Sequence, residues 1–124
     1  MTASIDWVTL HQKLGFIVVV AAALGALVAL ISLATPFVGI VLKTYLRLLL
    51  LAVAVQVILG GALYLMGNRP THAPQHYLYG AGMAVTLGVT VAVSRRTPWP
   101  LSKLPLVIGA VVAVVFAVLA LTSG

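Results

Sequence analysis

Two of the three histidines in this chain open long apolar runs with the same spacing: His11-Gln12-Lys13-Leu14-Gly15 and His76-Tyr77-Leu78-Tyr79-Gly80. An imidazole is a metal ligand and a proton carrier near neutral pH, and ionisable groups at the edge of an apolar span are rare unless they serve a site. A glycine four residues after each histidine lies on the same helix face one turn further on, and removes a side chain where a flat ring would lie. Between the two stretches stands Gln56-Val-Ile-Leu-Gly60-Gly61, so a buried amide and two more glycines precede the second histidine by one loop. This pattern predicts that His11 and His76 share one porphyrin iron as its two metal ligands. Gly15, Gly60, Gly61 and Gly80 would line the ring.

Other residues around the pair are candidate contacts of the same cofactor. Lys13 and Arg69 are the nearest cations, suited to propionate carboxylates, with Arg69 capable of a bidentate pair. Each also reads as a side chain snorkelling to the membrane surface. Gln56 needs hydrogen-bond partners, from a neighbouring helix or from a ligand edge. Tyr64, Tyr77 and Tyr79 form an outer aromatic belt, from which one tyrosine can reach a cofactor edge. His72, in the loop between Thr71 and Ala73, reads chiefly as a loop histidine, and otherwise as a propionate contact or substitute ligand.

The elements that position these residues follow from composition. The 124 residues are 63% hydrophobic and only 6% charged, with mean hydropathy +1.23, against about 25% charged in an ordinary soluble domain. Charges are absent from Leu14 to Leu42, Leu48 to Asn68, Pro70 to Ser94 and Leu104 to Gly124. Each run is long enough for the roughly 20 helical residues that cross a bilayer. One transmembrane domain of four helices is expected over residues 1–124, with spans at about 6–34, 45–66, 75–93 and 104–121. Short connections make it an all-α, up-down-up-down bundle. Ser4 as cap and Asp6 in the first turn mark the start of the first helix, Thr35 as cap and Pro36 at the first position the restart of the second, Gly67 the close of the second, and Trp99 an interfacial anchor. The amino terminus lacks a signal peptide's basic region and small-residue cleavage site, so the first helix is expected to be retained.

Connections 1–2 and 3–4 carry Lys43, Arg47, Arg95, Arg96 and Lys103, while the opposite end carries only Lys13 and Arg69. The excess of basic residues on the cytoplasmic side therefore predicts both termini outside, in a cytoplasmic membrane of prokaryotic type, with all three histidines at the outer leaflet. The net charge of +6 is explained by these loops, so nucleic acid is not expected as a partner. The bilayer is, together with a membrane-protein partner or a second copy of the chain. Absent Cys excludes disulfides, thiolate metal sites and covalent haem attachment, and a single acidic residue, Asp6, leaves no carboxylate pair for acid–base catalysis or proton coupling.

The unit Gln56-x-x-x-Gly60-Gly61, outer loop, His76 at the head of a helix resembles the haem A synthase family, and His11-Gln12 before a long apolar helix resembles that family's ligand helices. The resemblance covers residues 56–82 and 11–16. It implies a half-length relative of a family built from tandem four-helix bundles, each with a histidine pair on its outer side. The family's glutamate three residues before a ligand histidine is Val8 or Ala73 here, the arginine after it is Gln12 or Tyr77, and the outer-loop cysteine pair is missing. What the resemblance implies is therefore the scaffold and the ligands more than hydroxylation of a haem methyl group. The expected function is a membrane protein carrying one b-type haem for electron transfer or haem handling. Its rivals are a cofactor-free structural subunit of a larger complex and a half-size enzyme of the haem A synthase type.

Overall fold

The computed structural model describes residues 6–35, 38–70, 72–98 and 101–124. Ser4, Pro36 and Trp99 lie outside them. Four helices make up the fold: α1 (Trp7–Ser32), α2 (Gly39–Leu65), α3 (Ala73–Arg96) and α4 (Lys103–Ser123). All four are long and apolar enough to cross a bilayer, and no strand occurs among the described residues. In hydrocarbon every backbone N–H and C=O must be paired within the segment, which a helix achieves alone.

Hydrogen bonds between ends establish the up-down-up-down course. Lys103 Nζ, at the start of α4, donates to Leu33 O at the end of α1 (2.7 Å), and Lys43 Nζ, near the start of α2, donates to Thr97 O at the end of α3 (3.1 Å). Both lysines satisfy orphan carbonyls at a neighbour's C-terminus, where the helix dipole also favours a cation. At the opposite end the His72 N–H, at the start of α3, donates to Ser123 O at the end of α4 (3.1 Å). Neighbours around the ring are α1–α2, α2–α3, α3–α4 and α4–α1. Helices α2 and α4 also approach across one diagonal, whereas no α-carbon of α1 lies within 8 Å of one in α3. The α1–α3 diagonal is the wide one.

The faces that meet differ in size. α1 turns Ala22, Gly25, Ala26 and Ala29 inward and α4 turns Gly109, Ala110, Ala113 and Ala117, while α2 inserts Leu42, Leu46, Leu49 and Val53 and α3 inserts Met83, Leu87 and Val91. Many other large apolar residues point outward, as Ile40 (78% exposed) and Leu65 (85%) do. That inversion suits lipid, where helices associate by close packing of small residues.

Local signals at the helix ends differ in part from the sequence expectation. Asp6 is the N-cap of α1 and not a first-turn residue: its carboxylate accepts from the Thr9 hydroxyl (2.6 Å) and the Thr9 N–H (3.2 Å). The hydroxyl bond foremost, then the amide bond, hold that exposed carboxyl below the ordinary carboxylate range. Thr35 does not cap α2, since its hydroxyl turns back to Ile31 O (3.0 Å) and Val38 is the N-cap. Gly67 closes α2 as expected: at φ +85° it donates to Tyr64 O (3.0 Å) while Asn68 N–H donates to Leu63 O (2.9 Å), the paired bonds of a Schellman end.

The close packing makes a direct prediction. A Cβ on Gly109 would overlap the Thr90 side chain, whereas one on Gly88 would meet nothing within 4 Å. Gly109→Ala is expected to destabilise the bundle by about 1–3 kcal/mol through overpacking, and Gly88→Ala to be neutral or stabilising by up to about 1 kcal/mol. Unfolding in mixed detergent micelles, followed by helical circular dichroism, compares the two.

Candidate functional site

The wide diagonal is bridged at one end by two imidazoles. His11 sits in the second turn of α1 and His76 in the first turn of α3, so parallel helices bring them to one level. Their ring centroids are 6.1 Å apart with the planes inclined at 74°, and both residues are half-buried. The pair is separated by 65 residues of sequence and by two connections, yet its rings meet across the diagonal where no α-carbons of α1 and α3 come within 8 Å.

His76 is anchored by α4. Its Nδ1 lies 2.8 Å from Ala120 O and 3.3 Å from Ser123 Oγ. A carbonyl only accepts, so Nδ1 carries the proton, and the lone pair of the neutral ring is at Nε2. Ala120 O belongs to the last turn of α4, where carbonyls lack helical partners, so the same bond orients the ring and satisfies a helix end. Ser123 Oγ donates to that carbonyl as well (3.0 Å). Neither Ala120 nor Ser123 carried a sequence signal, because the first acts through its backbone and the second is an ordinary serine near a helix end.

His11 is held by α2. Gln56 Nε2 donates to His11 O across the helix pair (2.7 Å), while Gln56 Oε1 and His11 Nδ1 are both buried without a partner. Two glycines make the approach possible: a Cβ on Gly15 would come 3.0 Å from Gln56 Nε2, and a Cβ on Gly60 would come 3.3 Å from His11 Cε1. The space opened by Gly15 is thus taken by the Gln56 amide. A Cβ on Gly61 or Gly80 would meet nothing within 4 Å, so these two glycines border open space. Gly15, Gly60 and Gln56 gather around His11, with Gly80 one turn beyond His76.

The remaining candidates spread outward. Tyr77 packs edge-on against His76 (6.1 Å), Tyr64 edge-on against Tyr77 (5.8 Å), and the Arg69 guanidinium lies 4.6 Å over the Tyr64 ring. This is a continuous run of aromatic and cation–π contacts from the histidine pair to the surface. Lys13 is exposed on α1. His72 is exposed at the N-cap of α3 and lines a cavity of about 210 Å³ with Gln75, Tyr79, Leu119, Thr122 and Ser123. A larger groove of about 370 Å³, lined by Phe16, Ile17, Val20, Ala21, Leu24 and Tyr45, runs along α1 and is almost wholly apolar. Neither space is lined by His11 or His76.

No group of three or more metal-ligating side chains occurs among the described residues. The imidazoles that meet at this end are those of His11 and His76. Neither a family model, nor a curated protein, nor a solved structure matches the chain. The class defined by fold and site is a four-helix membrane-type bundle with a histidine pair bridging its wide diagonal.

The α4 anchor is testable by itself. His76→Ala removes the inter-helix donor to Ala120 O, one of two on that carbonyl, and is expected to cost about 1–3 kcal/mol and to speed amide exchange in the last turn of α4; Ser123→Ala, which leaves the imidazole bond in place, is expected to cost less.

Proposed function

We propose that this bundle carries one b-type haem held axially by His11 and His76 and that it serves electron transfer or haem handling. The observation that supports the reading is the 6.1 Å separation of the two ring centroids. A metal–imidazole bond is about 2.0–2.1 Å and a ring nitrogen lies about 1 Å from its centroid, so two imidazoles on opposite sides of one metal ion have centroids about 6 Å apart.

The donor chemistry agrees with that distance. The proton of His76 is fixed at Nδ1, which leaves Nε2 as the free donor, and a ligating histidine ordinarily gives its other N–H to a carbonyl in this manner. Open space beside Gly80 favours a planar group on the α3 side, and Arg69 and Lys13 are available at the same end for its carboxylates. When bound, a haem with two axial histidines supplies a one-electron couple with no open position on the metal, which suits electron transfer over oxygen chemistry.

One observation favours a second reading, a cofactor-free subunit of a larger membrane complex: neither cavity reaches the histidine pair, and the Gln56 amide occupies the gap at Gly15. Absorption of detergent-purified protein from haem-replete cells separates the two. A sharp Soret band at one haem per chain, shifting on reduction and lost or displaced in both His11→Ala and His76→Ala, is the expected result. Colourless protein that co-purifies with larger partners, indifferent to the double substitution, overturns the haem reading in favour of the second.

We further propose that the histidine end faces outward, since five of the seven Lys and Arg residues gather at the other end, where Lys43 and Lys103 also tie the helices together. The chain has no cysteine, so single introduced thiols report sidedness cleanly. Asn68→Cys in intact cells is expected to react with a membrane-impermeant maleimide, and Thr97→Cys only after permeabilisation.

A further inference from the structure

We infer that Gln56 is the positioning residue of His11: its amide oxygen is the acceptor for the Nδ1 proton of that imidazole, and so holds the ring in the Nδ1–H tautomer with Nε2 left free. Two unmatched atoms carry the inference. The Gln56 Nε2–His11 O bond (2.7 Å) settles which end of the amide is which, because a carbonyl cannot donate. Oε1 is then the remaining atom, an acceptor that is buried and unpaired, and on the same partner residue the ring atom Nδ1 is also buried and unpaired. An unused acceptor and a potential donor thus belong to two residues already joined, and a rotation of the amide or the ring that pairs them, a bond not made in this conformation, removes both penalties at once.

The surroundings keep the amide at this spot. Gly15 leaves 3.0 Å between its absent Cβ and Gln56 Nε2, and Gly60 leaves 3.3 Å to His11 Cε1, so an alanine at either position crowds the pair. The comparison with His76 sharpens the point. There the Nδ1 proton goes to a backbone carbonyl, Ala120 O, which no substitution removes. At His11 the corresponding acceptor is a side chain, so a substitution at Gln56 can change the basicity of that imidazole. The role towards a metal rests on the haem reading above; the tautomer of His11 does not.

The test reads imidazole ¹⁵N shifts of His11 in haem-free protein at alkaline pH, where the ring is neutral, in wild type, Gln56→Leu and Gln56→Glu. Wild type is expected to be Nδ1-protonated. Gln56→Leu is expected to move towards the Nε2–H form. Gln56→Glu, whose carboxylate at that pH accepts from Nδ1–H but no longer donates to His11 O, is expected to keep the ring Nδ1-protonated. In haem-titrated protein, Gln56→Leu is expected to weaken binding by about 10–100-fold and to raise the reduction potential, because a less basic ligand stabilises the oxidised metal less. A wild-type His11 that is mainly Nε2-protonated, or an unchanged ratio in Gln56→Leu, overturns the inference. Should Gln56→Leu fail to fold, the wild-type ratio decides alone. A wild type that takes up no haem rejects the haem reading, while the tautomer measurement still decides the role of Gln56.

Discussion

In hydrocarbon a helix gains little by burying leucine against another helix, because lipid tails are equally apolar. Association must come from how closely two backbones can approach, and that closeness is the constraint on which the rest of this fold depends. Gly25 with Ala22, Ala26 and Ala29 on α1, and Gly109 with Ala110, Ala113 and Ala117 on α4, allow the approach, and the larger side chains of α2 and α3 fill what is left. The resulting cross-section is lozenge-shaped, with α2 and α4 near one another and α1 and α3 apart. Residues that project along the long diagonal then have room to be more than packing.

The two ends of the bundle use that cross-section differently. At the end rich in basic residues, Lys43 and Lys103 each reach a neighbour's terminal carbonyl, so charge and helix dipole cooperate to fasten connections that short loops already restrict. At the other end no such cation closes a helix among the described residues. The fastening there is made by neutral polar groups: the His72 N–H on Ser123 O, the His76 ring on Ala120 O and the Gln56 amide on His11 O. Each contact crosses between helices and two of the three involve a histidine of the bridging pair. Structural support and candidate chemistry are therefore carried by the same side chains, which is why a functional account has to begin from the helix termini.

Much of the architecture was legible in the chain. Four uncharged runs, separated by short polar or basic turns, leave little alternative to four antiparallel helices, and Gly67 marked the end of α2 because only a residue without Cβ enters that turn freely. Smaller readings missed where two polar residues compete for one job. Asp6 took the cap of α1 because its carboxylate serves both the amide and the hydroxyl of Thr9, and Thr35 turned its hydroxyl back to α1. The partners of His76 were not legible, since a backbone carbonyl looks the same at every residue. Nor was the use of Gly15 and Gly60: spacing shows that a glycine leaves room, and not which neighbour takes it.

By itself, then, the sequence determined the class of environment, the number of helices, their alternating direction and the level at which His11 and His76 enter the bundle, because hydropathy, charge and helical rise are properties of short stretches. Which diagonal is long, how near the two imidazoles come, which ring nitrogen of His76 keeps its proton and that Gln56 crosses to His11 were decided only by tertiary structure. Those depend on the rotation of each helix about its axis, and that rotation is set by the packing of small against large faces on all four helices together.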